Sequence, residues 1–290
     1  VLGTTACGKS GLGVELAKRF DGEIVSADSR QVYKGLDLGT GKVTEEEMEG
    51  VPHHMLDVVE PNQPYSVADF QAGAYAAIDD ILARGRTPFL VGGTGLYVRA
   101  VTEGFTFTDA RPDPALRAEL EGKTTEELYA LLREKTGVTL TGGEENNRHR
   151  LMRSVEKALS GRWESPPPCP RYDCLLLGVT FPREEVCRRI DARLQARIDA
   201  GMLDEVAELR ANGATDAFLE GLGLEYRYIL RYLTGQIPTL DGLKDELGRA
   251  IKRFAKRQMV WFKKDRDVLW LDMEGDFLTQ AVRAVEGFLV

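Results

Sequence analysis

The stretch Gly3-Thr4-Thr5-Ala6-Cys7-Gly8-Lys9-Ser10 fits the phosphate-loop pattern GxxxxGK[ST], between an apolar Val1-Leu2 and a run with helical spacing at Leu12, Leu16 and Phe20. Such a loop commits a chain to a strand, a tight glycine turn and a helix in immediate succession. Its glycines let successive backbone N–H groups turn inward around an anion, and the helix that follows adds the positive end of its dipole. Lys9 is then expected to reach the outer phosphates, and the Ser10 hydroxyl to ligate Mg²⁺. The loop does not by itself select the phosphate compound.

Residues 22–28 and 88–93 read as further short strands, with a helix over 66–84 between them, and 175–179 as a later buried strand. Strands alternating with helices predict βαβ units and an α/β fold: a P-loop NTPase-like parallel sheet flanked by helices. In such sheets the working residues gather at the carboxyl ends of the strands. The loops 3–10, 28–33 and 92–97 are therefore expected to converge on one crevice. From 109 to 145 the strand signals vanish. Pro112 and Pro114, helical spacing at Leu116, Leu120, Leu128, Leu131 and Leu132, and a closing Thr141-Gly142-Gly143 predict a small helical insertion there. The core is then 1–108 with 146–290, carrying a helix at 147–161, a Pro166-Pro167-Pro168 linker and an almost wholly helical remainder after 179.

The chain has 290 residues, 43% of them hydrophobic and 29% charged, which suits a large core with a smaller appended unit. It holds no apolar run near the ~20 residues that span a bilayer and no signal-like start, so a cytoplasmic protein is expected. The first residue is Val rather than Met, and the strand preceding Gly3 is only two residues long, which suggests a trimmed N-terminus. The cysteines Cys7, Cys169, Cys174 and Cys187 make neither zinc pairs nor a disulfide framework, and His53-His54 has no third ligand. Cys7 stands near a helix N-terminus, where thiolate is favoured, and is predicted to be the most readily alkylated. A net charge of −8 argues against wholesale attraction to nucleic acid. The stretch 249–266, with Arg249, Lys252, Arg253, Lys256, Arg257, Lys263, Lys264 and Arg266 against Asp265, nevertheless builds a basic face suited to polynucleotide phosphates, with Phe254, Trp261 and Phe262 expected to pack inward.

Asp28-Ser29-Arg30-Gln31-Val32-Tyr33 follows the second strand, and its carboxylate admits two readings, a general base or Mg²⁺ partner, and a cap for a following helix. Gly92-Gly93-Thr94-Gly95-Leu96-Tyr97 has more glycine than a plain turn needs, so something bulky should approach the backbone closely. Arg189, Arg193 and Arg197 recur every four residues opposite Val186, Ile190, Leu194 and Ile198. They are either solvated charges partly paired with Glu185 and Asp191, or a phosphate clamp.

Taken in order, these segments resemble the tRNA dimethylallyltransferases, also called tRNA isopentenyltransferases. Residues 3–10 are similar to the family's GPTASGK[ST], 28–33 to DSxQVY, 52–57 to PHHxxD, 65–70 to YSxxxF, 91–97 to VGGTGLY and 256–262 to KRQxxW. Thr4 replaces the family's Pro, Cys7 its Ser, and Gly223-Leu224-Glu225-Tyr226 stands where many members have GY[KR]. The resemblance implies that Gly3, Thr4, Thr5, Ala6, Cys7, Gly8, Lys9 and Ser10 hold the diphosphate of dimethylallyl diphosphate with Mg²⁺, and that Arg193 binds the same group. It implies Asp28 as the base that takes a proton from N6 of the adenosine 3′ to the anticodon, with Thr94 near the reacting centre. Asp28, Ser29, Arg30, Gln31, Tyr33, His149, Arg150, Arg153, Lys256, Arg257, Gln258 and Trp261 correspond to tRNA-contacting positions, and the insertion to the anticodon-stem contact. A monomer is expected, since one tRNA groove per chain requires no partner subunit. A P-loop kinase of a small molecule or nucleotide is the alternative, and no lid with arginines is legible for it.

Overall fold

A computed structural model describes residues 1–107, 113–140, 144–161, 163 and 166–290. Pro112 and the Thr141-Gly142-Gly143 close lie outside the described residues. The chain divides into two compact units, Val1–Thr102 with Arg171–Val290, and Glu103–Pro170.

In the first unit the chain order is β1 (Leu2–Gly3), α1 (Lys9–Arg19), β2 (Gly22–Ser26), α2 (Glu45–Met48), β3 (His53–His54), α3 (Val67–Ala83), β4 (Thr87–Val91) and α4 (Gly95–Thr102). The second unit supplies α5 (Pro114–Glu121), α6 (Thr125–Thr136) and α7 (Arg148–Leu159). The first unit resumes with β5 (Leu177–Thr180), α8 (Arg183–Asp199), α9 (Met202–Ala211), α10 (Asp216–Leu222), α11 (Leu224–Leu233), α12 (Leu240–Phe262), β6 (Leu269–Asp272) and α13 (Phe277–Leu289). Helix starts follow side-chain chemistry. Ser66 accepts from the Asp69 N–H while Asp69 reaches back to the Ser66 N–H, and Thr124 with Glu127 repeats the arrangement.

Two parallel ribbons, β3-β2-β4 and β1-β5-β6, make the sheet. They join where Leu2 bridges to Gly92 and the Gly92 N–H donates to the Val1 carbonyl at 3.0 Å. Every residue of β2 is buried, as expected for a strand covered on both faces. Leu12, Leu16 and Val14 of α1 pack with Val91, Val179, Leu271 and the α13 residues Ala281 and Val285 on one side. On the other, Phe70, Ile78 and Ile81 of α3 pack with Tyr97 and Val98 of α4, Phe70 and Tyr97 stacking at 4.0 Å. A separate helical core is built from α8 to α12 around Ile190, Leu194, Leu219, Ile229 and Leu247. No helix among the described residues is long and apolar enough to cross a membrane.

Two strands were not foreseen. β3 is two residues long and β6 only four, with a single buried residue, so neither is long enough to carry a legible strand pattern. The second unit is also wider than the expected 109–145. Leu151, Met152 and Val155 of α7 bury themselves with Leu120 of α5 and Leu128 and Leu132 of α6, which draws residues 146–170 out of the core to which they had been allotted.

The buried carboxylate of Glu23, on β2, is tied to Arg84 and Arg86, and its Oε2 lies 2.7 Å from His54 Nε2. Arg84 above all holds this carboxyl far below the usual range. A group depressed in the folded state contributes stability that is full above the unfolded value, about 4.3, and is lost as pH falls through the folded one. Glu23→Gln is therefore expected to lower the melting temperature at pH 7 by about 5 °C and to flatten the acid limb between about pH 5 and 2. Melting curves across that range check it; an unchanged acid limb contradicts it.

Candidate active site

The loop after β1 turns through Ala6 (φ 63°) into Gly8 (φ 84°), the left-handed residue before the first turn of α1. Gly3 can carry no side chain, since a Cβ there would stand 2.7 Å from the Val179 carbonyl oxygen. The Lys9 ammonium donates to the Thr4 carbonyl at 2.7 Å and so stays over the loop. Arg189 Nε donates to the Ala6 carbonyl at 2.8 Å, and Arg193 donates to the Thr5 hydroxyl. The arginine stripe of α8 thus faces the cradle. Of the expected pairings only a long one remains, Arg189 with Glu185 at 3.9 Å; Glu185 lies closer to Arg188 (2.7 Å) and Asp191 pairs with Lys252 (2.6 Å). Burial, with Arg197 adding to it, brings Arg193 down to about 10, still charged at neutral pH.

The loops leaving β2 and β4 are laced together. The Ser29 N–H donates to Thr94 Oγ1 at 3.0 Å and the Thr94 N–H to the Ala27 carbonyl at 3.2 Å. Asp28 Oδ1 accepts the Arg30 N–H at 2.8 Å. No helix follows it, because residues 29–35 form turns, so the helix-cap reading is corrected to a local Asx turn. Among the described residues Oδ2 takes no protein hydrogen bond. Gln258 of α12 closes the floor: its Oε1 accepts the Thr5 N–H at 2.9 Å and its Nε2 donates to the Gly93 carbonyl at 2.8 Å. A Cβ at Gly95 would lie 2.3 Å from the Trp261 ring, which is the bulk that the glycine-rich turn accommodates.

These segments enclose one crevice of about 560 Å³, within the range of small-molecule sites. Thr5, Lys9, Ser10, Asp28, Ser29, Arg30, Gln31, Thr94, Arg193, Arg257, Gln258 and Trp261 line it. Tyr33 does not: it is buried, donates its hydroxyl to the Gln63 carbonyl at 3.1 Å and meets Phe218 edge-on. Lys256 is exposed outside the crevice. His149, Arg150 and Arg153 belong to the second unit, where Arg153 pairs with the buried Glu156 at 3.0 Å. Cys7 is fully buried, its thiol donating to the Thr4 carbonyl, so the expected reactivity is corrected; Cys169 and Cys174 are the exposed thiols. Phe254 is exposed beside Arg257 rather than packed inward, and lines the crevice mouth. The wall formed by Gly39, Thr40, Gly41, Tyr226 and Arg197 went unforeseen except for the arginine, although two glycines flanking a threonine were a usable signal.

Fold and crevice define an α/β phosphate-loop protein whose single crevice is lined by Lys9 and Arg193 beside the loop and by the carboxylate of Asp28. The IPP transferase family model matches residues 31–265 and the isopentenyl transferase model residues 1–60. The chain belongs to the IPP transferase family. A tRNA dimethylallyltransferase of Oceanobacillus iheyensis is 38% identical over 98% of this chain and 94% of its own length. The solved tRNA isopentenylpyrophosphate transferase of Bacillus halodurans is 37% identical with a TM-score of 0.74, covering 99% of this chain and 93% of that one. A eukaryotic dimethylallyltransferase acting on tRNA superposes with a TM-score of 0.80 at 25% identity, over 99% of this chain and 77% of its own.

Proposed function

We propose that the chain transfers a dimethylallyl group from dimethylallyl diphosphate to N6 of the adenosine 3′ to the anticodon in tRNA. The observation that carries this reading is the meeting of Lys9, Arg193, Asp28 and Thr94 around one crevice. An allylic carbon is a ready electrophile once its diphosphate departs, so the main demand is stabilisation of charge growing on the leaving oxygens. Lys9 and Arg193 meet that demand. The C1–O bond breaks as the N6–C1 bond forms, the electron pair leaves with diphosphate, and the proton made acidic on N6 passes to Asp28 Oδ2. Thr94, bonded to Ser29, keeps the Asp28 loop at the right height beside the cradle.

The donors suit Mg²⁺, a hard ion that takes one or two protein oxygens and completes its shell with phosphate and water. Ser10 would hold it, its exposed hydroxyl opening the first turn of α1 on the crevice that Asp28 also lines. When bound, the ion would neutralise diphosphate oxygens. No adenine reaches a crevice at strand ends while stacked, so the base must be flipped out of the anticodon loop. Ser29, Arg30, Gln31, Arg257 and Trp261 would meet it, and His149, Arg150 and Arg153 would serve the stem from the second unit. The test is incubation with tRNA and allyl-labelled dimethylallyl diphosphate, beside γ-labelled ATP with small alcohols and nucleotides. Label entering tRNA from the allyl donor is expected; ATP turnover without it supports the kinase alternative.

A further inference from the structure

Glu205, on α9, does not line the crevice, yet its carboxylate gathers four donors from two other segments. Oε2 accepts the N–H groups of Asp37 (3.0 Å) and Leu38 (2.6 Å), and Oε1 accepts the Gly39 N–H (3.0 Å) and the hydroxyl of buried Tyr226 (2.8 Å). Three consecutive main-chain amides turned on one point form a nest of the kind that binds anions, here filled by a side chain of the same protein. The segment so held is well tied elsewhere. Thr40 Oγ1 donates to the Leu36 carbonyl (2.6 Å), Gln31 Nε2 to the Gly41 carbonyl (3.1 Å), and the Lys42 ammonium to Tyr33 O, Asp37 and Asp57.

What this segment touches gives it meaning. Gly39, Thr40, Gly41 and Val43 form one wall of the crevice. A Cβ at Gly39 would fall 2.5 Å from the Tyr226 ring, and one at Gly41 only 1.5 Å from Arg197 Nη2. The Arg197 guanidinium therefore lies directly against the Gly41 backbone, one helical turn beyond Arg193. We propose that Glu205 is a positioning residue for diphosphate binding: by pinning residues 37–39 it sets the Gly39–Gly41 wall, and through that wall the place of Arg197 in the clamp. This rests on the diphosphate reading above.

The discriminating variant is Glu205→Gln. Glutamine keeps the volume but turns an NH₂ toward a donor and removes the charge that strengthened the other bonds. Calorimetry with inorganic diphosphate and Mg²⁺ is expected to show binding weakened about tenfold, equivalent to the loss of one charge-assisted bond. The KM for dimethylallyl diphosphate should rise in parallel, with kcat and the tRNA dissociation constant little changed. Tyr226→Phe removes one donor and spares the three amide bonds, so its effect on diphosphate should be the smaller. Leu219→Ala supplies the control, since it opens a cavity in the same helical core on α10 and lowers stability at a residue that does not line the crevice. Diphosphate binding by Glu205→Gln that matches the parent, or that falls no further than in Leu219→Ala, would overturn the proposal. Failure of the parent chain itself to bind diphosphate would instead strike the function from which it starts.

Discussion

Asp28→Asn is expected to slow the single-turnover rate of allyl transfer by about 10³-fold while the tRNA dissociation constant stays within about threefold. Asparagine is the informative substitution because of what Asp28 does locally. Its Oδ1 accepts the Arg30 N–H and shapes the turn after β2, and an asparagine oxygen can keep that bond. What asparagine cannot do is accept the N6 proton as the C–N bond forms. Asp28→Ala removes the turn bond as well, so a rate loss matching that of Asp28→Asn assigns the effect to proton transfer. A parent-like rate in Asp28→Asn beside a large loss in Asp28→Ala would reduce Asp28 to a turn former. Rapid-quench measurement with saturating tRNA separates the two outcomes.

The parts of this site legible in the sequence are those whose chemistry is written in consecutive residues. A cradle made of backbone amides needs its glycines and its lysine within one loop, so residues 3–10 announce themselves. The Gly92-Gly93-Thr94-Gly95 turn likewise signals close approach, although nothing in it names Trp261, which arrives from 166 positions away in chain order on α12. The arginine stripe showed its spacing but not its target, because a helix face reads the same against solvent and against a phosphate loop. Tyr33 and Phe254 illustrate the limit from both sides. The tyrosine, adjacent to a site loop, is spent on the core, and the phenylalanine, expected in the core, stands at the crevice mouth. Glu205 lies beyond reach of any local pattern: a glutamate on an ordinary amphipathic helix gives no sign that three amides from residues 37–39 will close on it. Such features depend on which segments the fold brings together, whereas helix caps such as Ser66 with Asp69 depend only on neighbours in the chain.

Lys9→Ala is expected to lower kcat by two to three orders of magnitude, roughly the cost of removing one preorganised group from a developing oxyanion. The Thr4 carbonyl holds the ammonium 2.7 Å away, above the same loop whose Thr5 hydroxyl receives Arg193, so on the proposed function both cations would act on one diphosphate. That geometry predicts more than the size of the loss. Charges acting on a single leaving group compete for the same oxygens, so Lys9→Ala combined with Arg193→Ala should cost less than the sum of the two in free energy. Lys9→Arg should rescue little, since a planar guanidinium cannot replace a compact ammonium above a tight loop. The split between constants decides the role. Stabilisation of charge that grows as the C1–O bond breaks lowers kcat and kcat/KM together, whereas attraction felt equally by bound substrate raises KM and leaves kcat alone. A Lys9→Ala enzyme with parent kcat and a raised KM would therefore move the source of catalysis from the cradle to the Asp28 side of the crevice.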